Sequence, residues 1–103
     1  MDAEFIRDRI TALRISQGLS EYALSRQLGQ NKSYINIISS GKALPSMDVF
    51  FEICEFFEIT PKMFFDEEQS NPIEMQKLIE LASNLTPSQL ELLISIAMEM
   101  NKK

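Results

Sequence analysis

Hydrophobic positions recur three and four residues apart along the whole chain, and no stretch alternates with period two. The pattern predicts helices throughout, cut short by glycine, serine, asparagine and proline. Ile6, Ile10 and Leu13 share one face of a first helix from about Glu4 to Gln17, which Gly18 stops. Ser20 is an N-cap for a second helix with Leu24 and Leu28 inward and Gly29 at its end. Asn31 caps a third helix over about residues 31–40, which buries Ile35 and Ile38 and closes at Gly41. Past Leu44-Pro45-Ser46, a fourth helix from about Met47 to Phe57 carries Val49, Phe50, Ile53, Phe56 and Phe57 at helical spacing. Pro61 opens a short fifth through Phe65. Asn71 and Pro72 form a cap and first-turn proline for a helix over 72–84, and Thr86, Pro87 and Gln89 carry the capping-box spacing for one over 87–101.

The polar run Asp66-Glu67-Glu68-Gln69-Ser70 separates two apolar stretches and is expected to be a solvated acidic linker. It divides the chain into residues 1–65, the linker 66–70 and a helical hairpin over 71–103. The last helix puts Leu90, Leu93, Ile94 and Ala97 on one face, and Leu92, Ile96 and Met100 spill round its side. Packing one stripe on the preceding globule leaves the other wet, and so wide an apolar surface marks an interface. The expected partner is a second copy, held through Leu92, Ile96 and Met100.

Composition narrows the chemistry. The 103 residues hold 10 Lys and Arg against 15 Asp and Glu, one cysteine and no histidine. Zinc sites built on nitrogen and sulfur ligands, and hydrolases that use an imidazole base, are excluded, so no metal, no cofactor and no enzyme activity is expected. No apolar run reaches the ~20 residues of a membrane span. Met1-Asp2-Ala3-Glu4 lacks the basic start of a secretory signal, which points to a cytoplasmic protein. Charge is unevenly shared: residues 1–45 carry net +2 and residues 46–103 net −7. One face is suited to an anion and another kept from it. Cys54 among Phe50, Ile53 and Phe57 is expected as core filling, and Arg7, Arg9 and Arg14 as a solvated face of the first helix. The six phenylalanines of residues 50–65 and the methionines are expected as packing residues.

Leu19 to Gly41 has the requirements of two short helices crossing steeply at a tight turn. Ser25 is the small residue where the second helix leans on the first, Gly29 takes the turn, and Ile35 and Ile38 face inward. With Gly18-Leu19-Ser20, Leu24, Leu28, Ser33-Tyr34-Ile35, Pro45-Ser46 and the close Ile59-Thr60-Pro61 followed by Phe64 and Phe65, residues Ile6 to Phe65 resemble the phage-repressor and Cro-like helix-turn-helix family, also called the xenobiotic-response-element family. The resemblance implies a five-helix repressor-like domain that binds double-stranded DNA, so that with the C-terminal two-helix hairpin read from the pattern the chain is all-α. It implies a transcriptional regulator, a repressor, with helix 31–40 in the major groove, and the apolar tail makes the expected repressor dimeric. Lys32, Ser33, Asn36 and Ile37 would then meet base edges, and Ser20, Asn31, Tyr34 and Lys42 phosphates. The family usually has Gln where Glu21 stands; a carboxylate there is repelled by phosphate unless it turns away or pairs with Arg26. The competing reading is an interaction module, antitoxin-like or a regulatory partner, that works through the C-terminal helices.

Overall fold

A computed structural model describes residues 1–102. It contains seven α-helices among the described residues: α1 Ala3–Ser16, α2 Glu21–Gln27, α3 Tyr34–Ser39, α4 Met47–Phe56, α5 Pro61–Phe64, α6 Pro72–Ala82 and α7 Pro87–Met100. None is long and apolar enough to cross a membrane. The all-α order of five helices followed by two agrees with the sequence pattern.

Local chemistry sets most helix starts. Ser20 accepts from the Ala23 N–H at 3.0 Å, Ser46 from Val49 at 3.3 Å and Thr60 from Met63 at 3.1 Å. Each hydroxyl satisfies one of the four N–H groups that a helix start leaves without a partner. Thr86 and Gln89 form the reciprocal capping box. Asn71 stands at the start of α6 but makes no capping bond; its own N–H is held by Gln69 Oε1 at 2.9 Å. Between α2 and α3, Gly29 has φ +67° and a Cβ there would meet no atom within 4 Å. Backbone conformation, not space, is what reserves this position for glycine.

The five N-terminal helices enclose one core. Ile10 and Leu13 of α1 meet Leu24 and Leu28 at α2, Ile35 and Ile38 of α3, Phe50, Ile53 and Cys54 of α4, and Phe64 of α5. Phe64 is fully buried, edge-on to Phe50 with centroids 4.9 Å apart. Burial pushes the Cys54 thiol up to about 11, so it stays protonated at neutral pH and fills space as expected. Phe51, expected in the core, is instead 48% exposed and lies beside Phe50. Most methionines also face solvent, with Met63 packed half-buried against the core.

The three arginines of α1 do not form a solvated face. Arg7 donates through Nε to the Ile38 carbonyl at 3.1 Å and through Nη2 to that of Gly41 at 3.2 Å, closing the C-terminal end of α3. A cation there also opposes the negative end of the helix dipole. Arg14 donates to the Leu19 carbonyl at 2.8 Å. Arg9 is buried and reaches the carbonyls of Asp66 and Gln69, at 2.5 and 2.6 Å, with its guanidinium 5.1 Å from the Phe5 ring centre. Residues 66–70 are therefore no loose tether. They form a turn pinned to α1, tightened by Asp66 Oδ1 accepting from the Glu68 N–H at 3.1 Å.

The tail behaves differently. α6 settles its first turn on the globule, with Pro72 buried and Ile73 packed against the core. α7 buries no residue, and only Leu93 is partly covered. The expected stripe of Leu90, Leu93, Ile94 and Ala97 is thus not packed on the globule, and both stripes stay wet. The chain is long for its size, 49 × 27 × 23 Å, with a radius of gyration of 16.4 Å. A compact domain of this length has about 13 Å.

Candidate nucleic-acid interface

α2 and α3 are held by one buried hydroxyl. Ser25 is fully buried; its Oγ donates to the Glu21 carbonyl at 2.9 Å and accepts from the Ile35 N–H at 3.0 Å. The second bond explains why α3 begins at Tyr34, not at about residue 31. The Ile35 N–H is spent on α2, and the regular helical ladder starts with the Ile37 N–H bonded to the Ser33 carbonyl at 3.0 Å. Residues 31–33 form a capped turn instead, with Asn31 Oδ1 accepting from the Ser33 N–H at 2.9 Å. Ser25→Ala leaves a buried N–H to find another partner. It should cost about 1 to 2 kcal/mol in urea unfolding.

Burying Ile35 and Ile38 turns the opposite flank outward. Lys32, Ser33, Asn36 and Ile37 are all exposed, as are Ser20, Asn31 and Lys42. No helix of the chain covers this flank, and α7 lies elsewhere as an uncovered rod. Among the eight positions expected to meet DNA, Tyr34 differs. It is half-buried, packed against the core, with its hydroxyl near the Ser46 backbone. Burial, then the charge of Glu52, hold its phenol above the usual value. Tyr34 belongs to the rim of the flank more than to its surface.

Two of the polar side chains expected at the DNA are engaged within the chain. Asn31 spends Oδ1 on its own turn. Asn36 donates from Nδ2 to Glu21 Oε1 at 3.3 Å, and Ser39 donates from Oγ to Glu21 Oε2. Glu21 therefore neither pairs with Arg26 nor turns away; still partly open to solvent, it lies across the flank of α3. The hydrogen bonds from Ser39 and then Asn36 hold its carboxyl below the usual range, against a small opposing effect of burial, with Arg14 helping. Its contact is complete at neutral pH and is lost as pH falls through that lowered value. Neither this bridge nor the arginine clamps left a mark in the hydrophobic pattern. The weak sign was Glu21 itself, a carboxylate at a position otherwise suited to an anion.

The electrostatics of the flank follow. With Arg7, Arg9 and Arg14 committed to carbonyls, the exposed cations of residues 1–45 are Arg26, Lys32 and Lys42. None has an ion-pair partner among the described residues. No group of three His, Cys, Asp or Glu among the described residues is placed to hold a metal ion.

Neither a curated protein nor a solved structure matches the chain significantly. A helix-turn-helix family model does match it over residues 10–64, more than half its length and the whole of the unit from mid-α1 to the end of α5. With its buried α2–α3 joint and its exposed α3 flank, the chain belongs to the phage-repressor and Cro-like helix-turn-helix family of DNA-binding regulators.

Proposed function

We propose that the chain is a cytoplasmic, homodimeric, sequence-specific repressor of transcription that lays the 31–40 stretch into the major groove of double-stranded DNA. Lys32, Ser33, Asn36 and Ile37 face the base edges. Ser20, Asn31 and Lys42 take phosphates, with Tyr34 at the rim. The observation that carries this reading is the uncovered polar flank of α3, rigidly backed by Ile35, Ile38 and the Ser25 joint.

On this reading residues 1–65 form the DNA-binding domain and 71–103 the dimerisation tail. The solvent-exposed surface is 7290 Å², whereas a folded monomer of 11.8 kDa has about 5,900 Å². The surplus, about 1,400 Å² per chain, is of the size that obligate homodimers bury. Leu92, Ile96 and Met100 are 64%, 50% and 80% exposed, which is costly on an isolated chain and ordinary at an interface. Two copies present two α3 flanks to half-sites about 34 Å apart.

With Lys32 on a base, Arg26 and Lys42 leave two cations per copy for phosphates, so log K should fall against log salt with a slope of about −4 for the dimer. The test is selection of bound duplexes from random DNA at moderate salt, followed by Lys32→Ala on the enriched sequence. Lys32→Ala should weaken binding by about 2 kcal/mol if it reads a base, and should flatten one column of the motif. An unenriched pool would reject the reading.

A further inference from the structure

We infer that Glu21 is a specificity-determining residue: through its contact with Asn36 it makes that part of the α3 flank a hydrogen-bond acceptor that selects an exocyclic amine in the major groove, cytosine N4 foremost. This deepens the DNA-binding reading above and rests on it.

The reasoning is one of donor and acceptor supply. A free asparagine reads adenine with both ends of its amide, the oxygen accepting from N6 and the nitrogen donating to N7. Here the Asn36 nitrogen is turned to Glu21 Oε1 at 3.3 Å. That commits one of the two amide N–H groups to the carboxylate and sets Oδ1 on the side away from it, as the acceptor offered to a base. Glu21 adds a full negative charge, anchored on its other oxygen by Ser39. A guanine edge offers acceptors at N7 and O6 and is repelled by both groups. A cytosine edge offers the N4 amine, which carboxylates and amide oxygens accept well. Lys32, exposed in the turn that leads into α3, supplies the opposite preference and is suited to guanine. The flank therefore has two unlike heads, a donor at Lys32 and an acceptor at Glu21 and Asn36.

The acceptor also has a cost in affinity, because the carboxylate faces a polyanion. Glu21→Gln keeps an acceptor for Ser39 or Asn36 and removes the charge, so it should tighten binding to arbitrary duplex several-fold while blunting selectivity.

The test repeats the random-duplex selection with wild type, Glu21→Gln, Asn36→Ala and Lys32→Ala. Wild type should show a column held by cytosine, or second by adenine, distinct from the column lost in Lys32→Ala. Glu21→Gln and Asn36→Ala should each flatten that same column by about tenfold, the discrimination of one good base contact. A structural role alone would lower the melting temperature and weaken all columns together. Ser39→Ala, which frees one carboxylate oxygen, should soften the same column and serves if Glu21→Gln fails to fold. A motif whose columns are unchanged in Glu21→Gln and Asn36→Ala, or a guanine in the shared column, overturns the inference and leaves DNA reading intact. No motif from any variant overturns both.

Discussion

Glutamate at both Leu92 and Ile96 is expected to convert the dimer to a monomer and to lower affinity for a two-half-site operator by about 10² to 10⁴-fold. Each residue already stands at least half exposed on α7, a helix that buries nothing in its own chain. The substitutions therefore remove no buried contact, and the melting of the five-helix core should stay the same. What they change is the surface offered to a second copy, where two carboxylates on one helix edge are desolvated without partners. The loss in operator binding follows because the second recognition helix binds at the effective concentration set by the link to the first. Binding to a single half-site should be unchanged. Sedimentation and titration of one- and two-half-site duplexes separate the outcomes. A variant that remains dimeric removes Leu92 and Ile96 from the interface. A monomer that binds the full operator as well as wild type assigns the tail to a different partner, the interaction-module reading. Deleting residues 84–103, which keeps Pro72 and Ile73 on the core, should reproduce the double substitution.

Where an element is decided by neighbours in the chain, its sequence was enough to read it. The glycine stops, the Ser20, Ser46 and Thr86 caps and the inward faces of α1, α2 and α4 all depend on residues within one or two turns. The start of α3 differs from the pattern because Ser25, ten residues earlier, takes the Ile35 N–H. The arginines depart from it for the same reason at longer range: guanidinium groups that seek backbone carbonyls leave no periodicity. The exposed flank of Lys32, Ser33, Asn36 and Ile37 follows from the burial of Ile35 and Ile38 and was legible. The Glu21 bridge is not, since turning away and pairing with Arg26 are what the neighbouring residues suggest, and only the packing of α2 on α3 brings Asn36 and Ser39 within reach. Free apolar surface on α7 was visible as excess hydrophobic width, although its stripe does not rest on the globule as the pattern suggested.

Arg9 gives the second large effect. Arg9→Ala should destabilise the chain by about 3 kcal/mol, with the loss centred on residues 66–73. Its guanidinium spans two carbonyls 57 and 60 residues away, and bonds to a charged donor contribute about 1.5 to 3 kcal/mol each. Some of this is offset, because Arg9 Nε is buried without a protein partner and the freed carbonyls can turn to water. Arg9→Met separates the parts: it keeps the packing of the stem beside Phe5 and loses the donors, so it should fall between wild type and alanine. Arg9→Lys should recover less than half, since a compact ammonium does not span two acceptors as a planar fork does. Hydrogen exchange should rise first at Gln69 to Ile73, ahead of Leu24 and Ile53. The consequence reaches the operator. Arg9, with buried Pro72 and core-packed Ile73, holds the start of α6 on the globule, and on the dimer reading proposed above the path from α6 to α7 would set the spacing between two α3 flanks. Arg9→Ala should therefore bind single half-sites like wild type at low temperature, yet discriminate less between operators whose half-sites are spaced differently. Unchanged spacing preference together with faster exchange at 69–73 would show that the tail, not the Arg9 turn, sets the distance between the recognition helices.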